Sequence, residues 1–100
     1  MNILIICANG ISSGLLAMKI GQELENVGVG GTCIAASQMD LENVIEGKDY
    51  VLVGPQLRIM FDVIKKQIDG RVPVSLIDSV DYGTMNTKNI VAKVLDNLKN

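Results

Sequence analysis

Apolar residues along the chain alternate between two rhythms. Ile3-Leu-Ile-Ile-Cys7 is an unbroken apolar run, the pattern of a strand covered on both faces. The segment Ala8–Ser13 is small and polar, and Ser12 or Ser13 can cap a helix there. Leu16, Ile20, Leu24 and Val27 then recur along one helical face, and Gly28 supplies a stop. A second strand is predicted within Gly31–Ala36. A short helix follows, starting at Ser37 or Asp40, carrying Leu41, Val44 and Ile45 and ending at Gly47. Tyr50-Val-Leu-Val53 reads as a third strand, cut off by Gly54-Pro55. Proline suits a helix start, where its missing N–H costs nothing. The next helix carries Leu57, Phe61, Ile64 and Ile68 to Gly70. Val72–Ile77 is a fourth strand, Asp78–Met85 a loop, and a last helix over about Asn86–Leu98 turns Ile90, Val94 and Leu98 inward.

The order βαβαβαβα predicts an α/β domain with an open parallel sheet covered by helices on both faces. The pattern leaves the strand order open. Ligands of such sheets bind beyond the carboxyl ends of the strands. Three segments meet that edge: Ala8–Ser13, Gly54–Gln56 and Asp78–Met85. Cys7 stands at the same edge, where the first strand gives way to the first loop.

Composition narrows the chemistry. One hundred residues make a single domain spanning 1–100, and the ordinary balance of apolar and charged residues predicts an ordered core. A net charge of −2 with scattered basic residues excludes a nucleic-acid binder, which needs a basic face. The longest apolar run, Ile3–Ala8, is far too short to cross a membrane, and Met1-Asn2 carries no basic leader. A cytoplasmic protein is expected. The chain has no histidine and no CxxC pair. Histidine-paired nucleophiles, histidine metal ligands and phosphohistidine are therefore excluded, and no metal or cofactor is expected. Covalent chemistry, if present, falls to Cys7. Cys33 reads as strand core.

A cysteine at this place has two readings. Cysteine behaves as a small hydrophobe and is often inert core. At the end of a strand facing a Gly/Ser-rich turn and a helix N-terminus, however, main-chain amides and the helix dipole favour the thiolate and can hold a phosphate. Gly10 and Gly14 permit close backbone approach, and Ser12 and Ser13 offer hydroxyls. This context favours the nucleophile.

At this point the residues resemble a known family. Cys7-Ala-Asn-Gly-Ile-Ser-Ser-Gly-Leu-Leu16 is similar to the phosphorylation loop of the lactose/cellobiose-type IIB components of the bacterial sugar phosphotransferase system (PTS). In that family the usual loop is a cysteine, two or three small residues, then Gly-Met-Ser-Thr-Ser-Leu-Leu. Gly54-Pro-Gln-Leu-Arg58 and Ile77-Asp-Ser-Val-Asp-Tyr-Gly-Thr-Met-Asn86 resemble two further family segments. The likeness spans essentially the whole chain. It implies a four-stranded parallel sheet and a phosphotransferase role. Cys7 would accept a phosphoryl group from a phosphohistidine of a IIA partner. It would pass that group to a disaccharide of the cellobiose, lactose or chitobiose class held by the membrane IIC partner. The protein would then visit the inner face of the membrane through IIC, without inserting. Carried over by position, Cys7 is the phosphocysteine, and Ala8, Asn9, Gly10, Ile11, Ser12, Ser13 and Gly14 form its loop. Ile11, Ser13 and Gly14 depart from the family's Met, Thr and Ser. Gly14 removes a hydroxyl and loosens the helix start.

Two rivals are weaker. A small tyrosine-phosphatase-type enzyme shares this fold and a strand-end cysteine, but its loop places an arginine where Ser13 stands, and nothing in the loop replaces that clamp. A flavodoxin-like binding module would want aromatic platforms, and this chain has no tryptophan and two tyrosines. Gln56, Arg58, Asp78, Asp81, Tyr82 and Met85 are candidates for the rim of the site or a partner surface. For the two aspartates and Tyr82, turn and cap formation is the plainer reading. Met60 fits core and partner surface about equally.

Overall fold

The computed structural model describes residues 1–8 and 10–99, leaving aside the side chains of 10–12. Its strands are β1 (Asn2–Ile6), β2 (Thr32–Ala36), β3 (Tyr50–Val53) and β4 (Val74–Leu76). All pair in parallel, in the order β2-β1-β3-β4. The helices are α1 (Gly10–Asn26), α2 (Leu41–Val44), α3 (Phe61–Ile68), α4 (Ser79–Gly83) and α5 (Thr87–Leu98). Single 3₁₀ stretches, Gln38–Asp40 and Pro55–Met60, lead into α2 and α3.

The strand order follows from handedness. Parallel crossovers are right-handed, so a chain stepping from β1 to β2 and then back past β1 to β3 must change faces. Two cores result. On one face Ile3, Ile5, Tyr50 and Leu52 meet Leu16, Ile20 and Leu24 of α1 and Ile90, Val91 and Val94 of α5. On the other, Leu4, Ile6, Val51 and Val53 meet Leu41, Ile45, Ile64 and Ile68. The unbroken apolar runs of β1 and β3 are thus those of central strands, with alternate residues feeding opposite cores.

Several boundaries differ from the sequence reading. Helix α1 begins at Gly10, so Ser12 and Ser13 lie inside its first turn rather than capping it. It ends in a Schellman turn: Gly28 N–H donates to Glu25 O and Val29 N–H to Leu24 O, with Gly28 at φ 78°. Val27 closes the last turn, its N–H donating to Glu23 O (3.0 Å), but it is exposed and does not extend the buried stripe. Leu57 belongs to the 3₁₀ stretch, at a kink (φ −105°, ψ 20°), and not to α3. Asp78–Met85 is not a loop: Asp78 caps a short helix. Asn86 caps α5, whose inner face includes Val91, whereas Leu98 at its last turn is exposed.

Candidate functional site

The change of faces leaves a crevice between β1 and β3. The chain leaves β1 toward one face, through α1, and leaves β3 toward the other, through α3. Open α/β sheets bind ligands at the carboxyl end of such a switch point. Cys7 and Gly54 are the first residues past the two strands at this point. The Cys7 N–H continues the ladder to Ala36 O (3.0 Å), and the Gly54 N–H donates to Ile6 O (2.8 Å). The ladder therefore fixes both residues side by side at the sheet edge.

Cys7 is nearly closed off, at 3% exposure, and belongs to the core beneath α1 and α5. Its Sγ lies 3.7 Å from Ala36 O, within reach of a sulfur hydrogen bond. Cysteine core packing and a strand-end position thus coexist in one residue. Cys33, paired opposite Ile3, is half-buried, and burial pushes its thiol up to about 12. That sulfur stays protonated and inert at neutral pH.

Of the loop predicted to bind phosphate, Ala8 is exposed, and Gly10 to Gly14 form the start of α1. The first amides of a helix have no intrahelical acceptor, so this turn points donors toward the region beyond β1. Asn9 and the side chains of Ile11 and Ser12 lie outside the described residues. Ser13 is fully buried, and its Oγ lies 2.8 Å from Tyr82 Oη. Gly14 is exposed, with nothing within 4 Å of where a Cβ would sit.

On the β3 side, a methyl added at Gly54 would lie 2.6 Å from Gln56 Oε1 and 3.5 Å from Cys7 Cβ. The exposed Gln56 side chain is thus folded back over the turn beside Cys7. Arg58 is exposed and donates to Pro55 O across its own turn (3.4 Å).

On the β4 side, Asp78 Oδ1 accepts from the N–H groups of Val80 (2.9 Å) and Asp81 (3.1 Å), capping α4. Asp81 is buried and accepts from Lys93 Nζ (3.0 Å) and Asn89 Nδ2 (3.2 Å) of α5. The Lys93 ammonium, then the Asn89 amide, hold its carboxyl below the usual range against the opposing effect of desolvation. Both aspartates serve the fold around α4. Tyr82 and Met85 are half-buried against the core that contains Cys7, and Met85 sits at φ 50°. Met60 packs on the opposite core.

Sequence reasoning missed two features of this edge. One is the Ser13–Tyr82 pair. The other is a set of exposed apolar side chains: Met39 (92%), Ile59 (87%) and Val80 (69%), which follow β2, β3 and β4 respectively. Their signal was available, since each falls out of phase with the buried positions of its neighbouring helix. Among the described residues no group of side chains could hold a metal ion, and no helix is long and apolar enough to cross a membrane.

Comparison with known proteins agrees with this architecture. Residues 2–93 match the family model of the PTS lactose/cellobiose-specific IIB subunit. The chain is 33% identical to the cellobiose-specific EIIB component of Lactococcus lactis, over 98% of this chain and 95% of that protein. It is equally similar to a galactose-specific EIIB component from another strain of that species, and 27% identical to the oligo-beta-mannoside-specific EIIB component of Bacillus subtilis. The solution structure of a cellobiose-specific IIB component from Borrelia burgdorferi superposes with a TM-score of 0.76 at 28% identity, covering 96% of this chain and 89% of that one. A lactose-specific IIB domain from Streptococcus pneumoniae, at 20% identity, shares the fold with a TM-score of 0.78 over 96% of this chain and 95% of that one. The chain belongs to the lactose/cellobiose-specific IIB subunit family of the sugar phosphotransferase system. It is a phosphotransferase component of sugar uptake that works with the other components of that system.

Proposed function

We propose that Cys7 is the phosphorylated residue of this chain and that the start of α1 is its phosphate cradle. The supporting observation is the location of Cys7. It stands at the carboxyl end of β1, at the switch point, with the first turn of α1 beginning three residues later. The thiolate attacks the phosphorus of a phosphohistidine on a IIA protein. An S–P bond forms as the P–N bond breaks, and the imidazole leaves with the electron pair. A sugar hydroxyl held by IIC then attacks phosphorus and loses its proton, and sulfur departs as thiolate. Main-chain amides at the start of α1 offset charge on the equatorial oxygens in both steps. The segment 8–14 has no Lys, Arg, Asp, Glu or His. It offers neither a cationic clamp nor a side-chain base to activate water, as suits an intermediate that must outlast the change of partner.

The near-complete burial of Cys7 sets a condition. The thiol must give up its contact with Ala36 O and gain exposure when a donor docks. Met39, Ile59 and Val80 supply an apolar rim on the same edge for such docking, by IIA in one step and IIC in the next. The protein acts from the cytoplasm, meets the membrane only through IIC, and needs no cofactor. Its sugar is a disaccharide of the cellobiose or lactose class.

The test is phosphorylation by the general phosphotransferase proteins together with a IIA protein of this class, followed by mass spectrometry. A label on the Cys7 peptide that is absent in Cys7→Ser, and is discharged to a disaccharide only when IIC membranes are added, is the expected result. An unlabelled Cys7, or rapid discharge to water without membranes, would overturn the proposal, the latter in favour of a phosphatase.

A further inference from the structure

We infer that Gln56 is a catalytic residue of the transfer, its side-chain amide donating a hydrogen bond to the phosphoryl group on Cys7; this rests on the reading of Cys7 as the phosphocysteine. The β1–β3 register pairs Ile5 with Leu52 and Ile6 with Val53. One step further, Gly54 lies opposite Cys7, tied to β1 by the bond from its N–H to Ile6 O. Side chains alternate along strands, so a side chain at 54 would share the face of Cys7, as Leu52 shares that of Ile5. Glycine supplies none. The end of Gln56 takes the place instead: its Oε1 lies 2.6 Å from where the Cβ would sit, and Cys7 Cβ lies 3.5 Å from the same point. Gln56 Oε1 and Cys7 Cβ are therefore no further apart than the sum of those two distances.

The fold itself does not call for this arrangement. The backbone at Gly54 (φ −64°, ψ 147°) suits any residue, so what the glycine provides is room. Gln56 is exposed, and among the described residues its carboxamide has no hydrogen-bond partner. A long polar side chain folded inward without a partner gives up rotamer freedom that it would keep in water. A ligand that bonds to the carboxamide supplies the missing return.

The chemistry of the group names that ligand. A carboxamide carries an acceptor and two N–H donors on one planar end, and a half-turn about its last bond exchanges Oε1 for Nε2. A donor then stands on the face of Cys7, from the β3 side of the crevice, while the amides at the start of α1 approach from the β1 side. A phosphoryl dianion only accepts, and a donor aimed at it makes a charge-assisted bond. As the S–P bond forms and the P–N bond breaks, this bond offsets charge on an equatorial oxygen. No proton is transferred, since a carboxamide is neither acid nor base at neutral pH. Its lack of charge fits a site whose loop, 8–14, contains no cation.

The experiment compares the wild type with Gln56→Met, which keeps the length of the side chain without a donor, and Gln56→Glu, which keeps its shape but replaces the donors with a carboxylate. Initial rates of Cys7 labelling are followed by mass spectrometry across concentrations of a phosphorylated IIA protein, and thermal unfolding is recorded for each protein. Gln56→Met is expected to lower the maximal rate about tenfold with half-saturation unchanged, the signature of an interaction made in the transition state. Gln56→Glu is expected to be slower still, because a carboxylate cannot donate and repels the dianion. A role in packing would give the opposite order, since glutamate preserves the shape. In the ¹⁵N-labelled wild type, a side-chain amide proton of Gln56, assigned by its loss in Gln56→Met, is expected to move downfield when Cys7 is phosphorylated. A wild-type maximal rate in either variant, a loss confined to half-saturation, or Gln56 amide signals unmoved by phosphorylation would overturn the inference. The amide shift is read on the wild type, so it decides the matter if a variant folds poorly. An unlabelled Cys7 in the wild type would instead sink the phosphocysteine reading, and this inference with it.

Discussion

What a single methyl group would meet separates two glycines. At Gly54 the backbone (φ −64°, ψ 147°) suits any residue, but a Cβ would strike Gln56 Oε1 and touch Cys7 Cβ. The glutamine can swing aside, so Gly54→Ala is expected to change stability by only about 0.5 kcal/mol. It should slow Cys7 labelling nonetheless, because the crevice narrows beside the sulfur. A labelling rate equal to wild type would show that the turn is mere scaffolding. At Gly31 the strain is in the backbone: φ is 129°, and a Cβ would lie 1.8 Å from Met1 O. Gly31→Ala should cost more than about 1 kcal/mol and lower the thermal midpoint by about 4–8 °C or more. Cys7 could be picked out from the sequence because a Gly/Ser-rich turn stands next to it. The partner of Ser13 could not, since no local pattern ties it to a tyrosine 69 positions away.

Among the elements, the strands were legible because Gly, Pro or Asp punctuates them. Tyr50–Val53 was read with its observed bounds. Helix α4 was not legible: five residues show no apolar periodicity, and what makes the helix is the Asp78 cap. Asp78→Ala should therefore cost about 1 kcal/mol, measured by urea unfolding. The start of α1 was misplaced because its serines look like caps, and here they are interior. Gly14 and Gly21 lie within α1 with open space where a Cβ would go. Gly14→Ala and Gly21→Ala should each stabilise the protein by about 0.5–1 kcal/mol. Unchanged Cys7 labelling in Gly14→Ala would show that the glycine departing from the family loop has no phosphate-binding role.

At the scale of the whole molecule, the alternation of elements gave a parallel α/β sheet, while the order β2-β1-β3-β4 and hence the switch point came only from handedness and packing. The short edge strand β4 illustrates why. Its hold on the sheet is reinforced by a side-chain relay from Ser75 through Tyr50 Oη to Asn97 of α5, with both links 2.8 Å, and none of these residues announces a partner in sequence. The Asp81–Lys93 pair plays the same part between α4 and α5, and it makes stability depend on pH in a definite sense. The folded state lowers the pKa of Asp81 from its ordinary 3.8, chiefly through the Lys93 hydrogen bond. A lowered carboxyl contributes stability that is fully present above 3.8 and is lost as pH falls through the folded value. Lys93 is raised from 10.5, chiefly by its bond to Asp81, so its share is present below 10.5 and fades as pH climbs through the raised value. Between those limits wild type should melt above Lys93→Met, with a gap nearly constant across neutral pH. In acid the gap should shrink as Asp81 protonates and the buried carboxyl no longer needs its cation. A gap that stays the same from pH 7 down to pH 2 would mean that Lys93 contributes by packing its stem rather than by holding the charge.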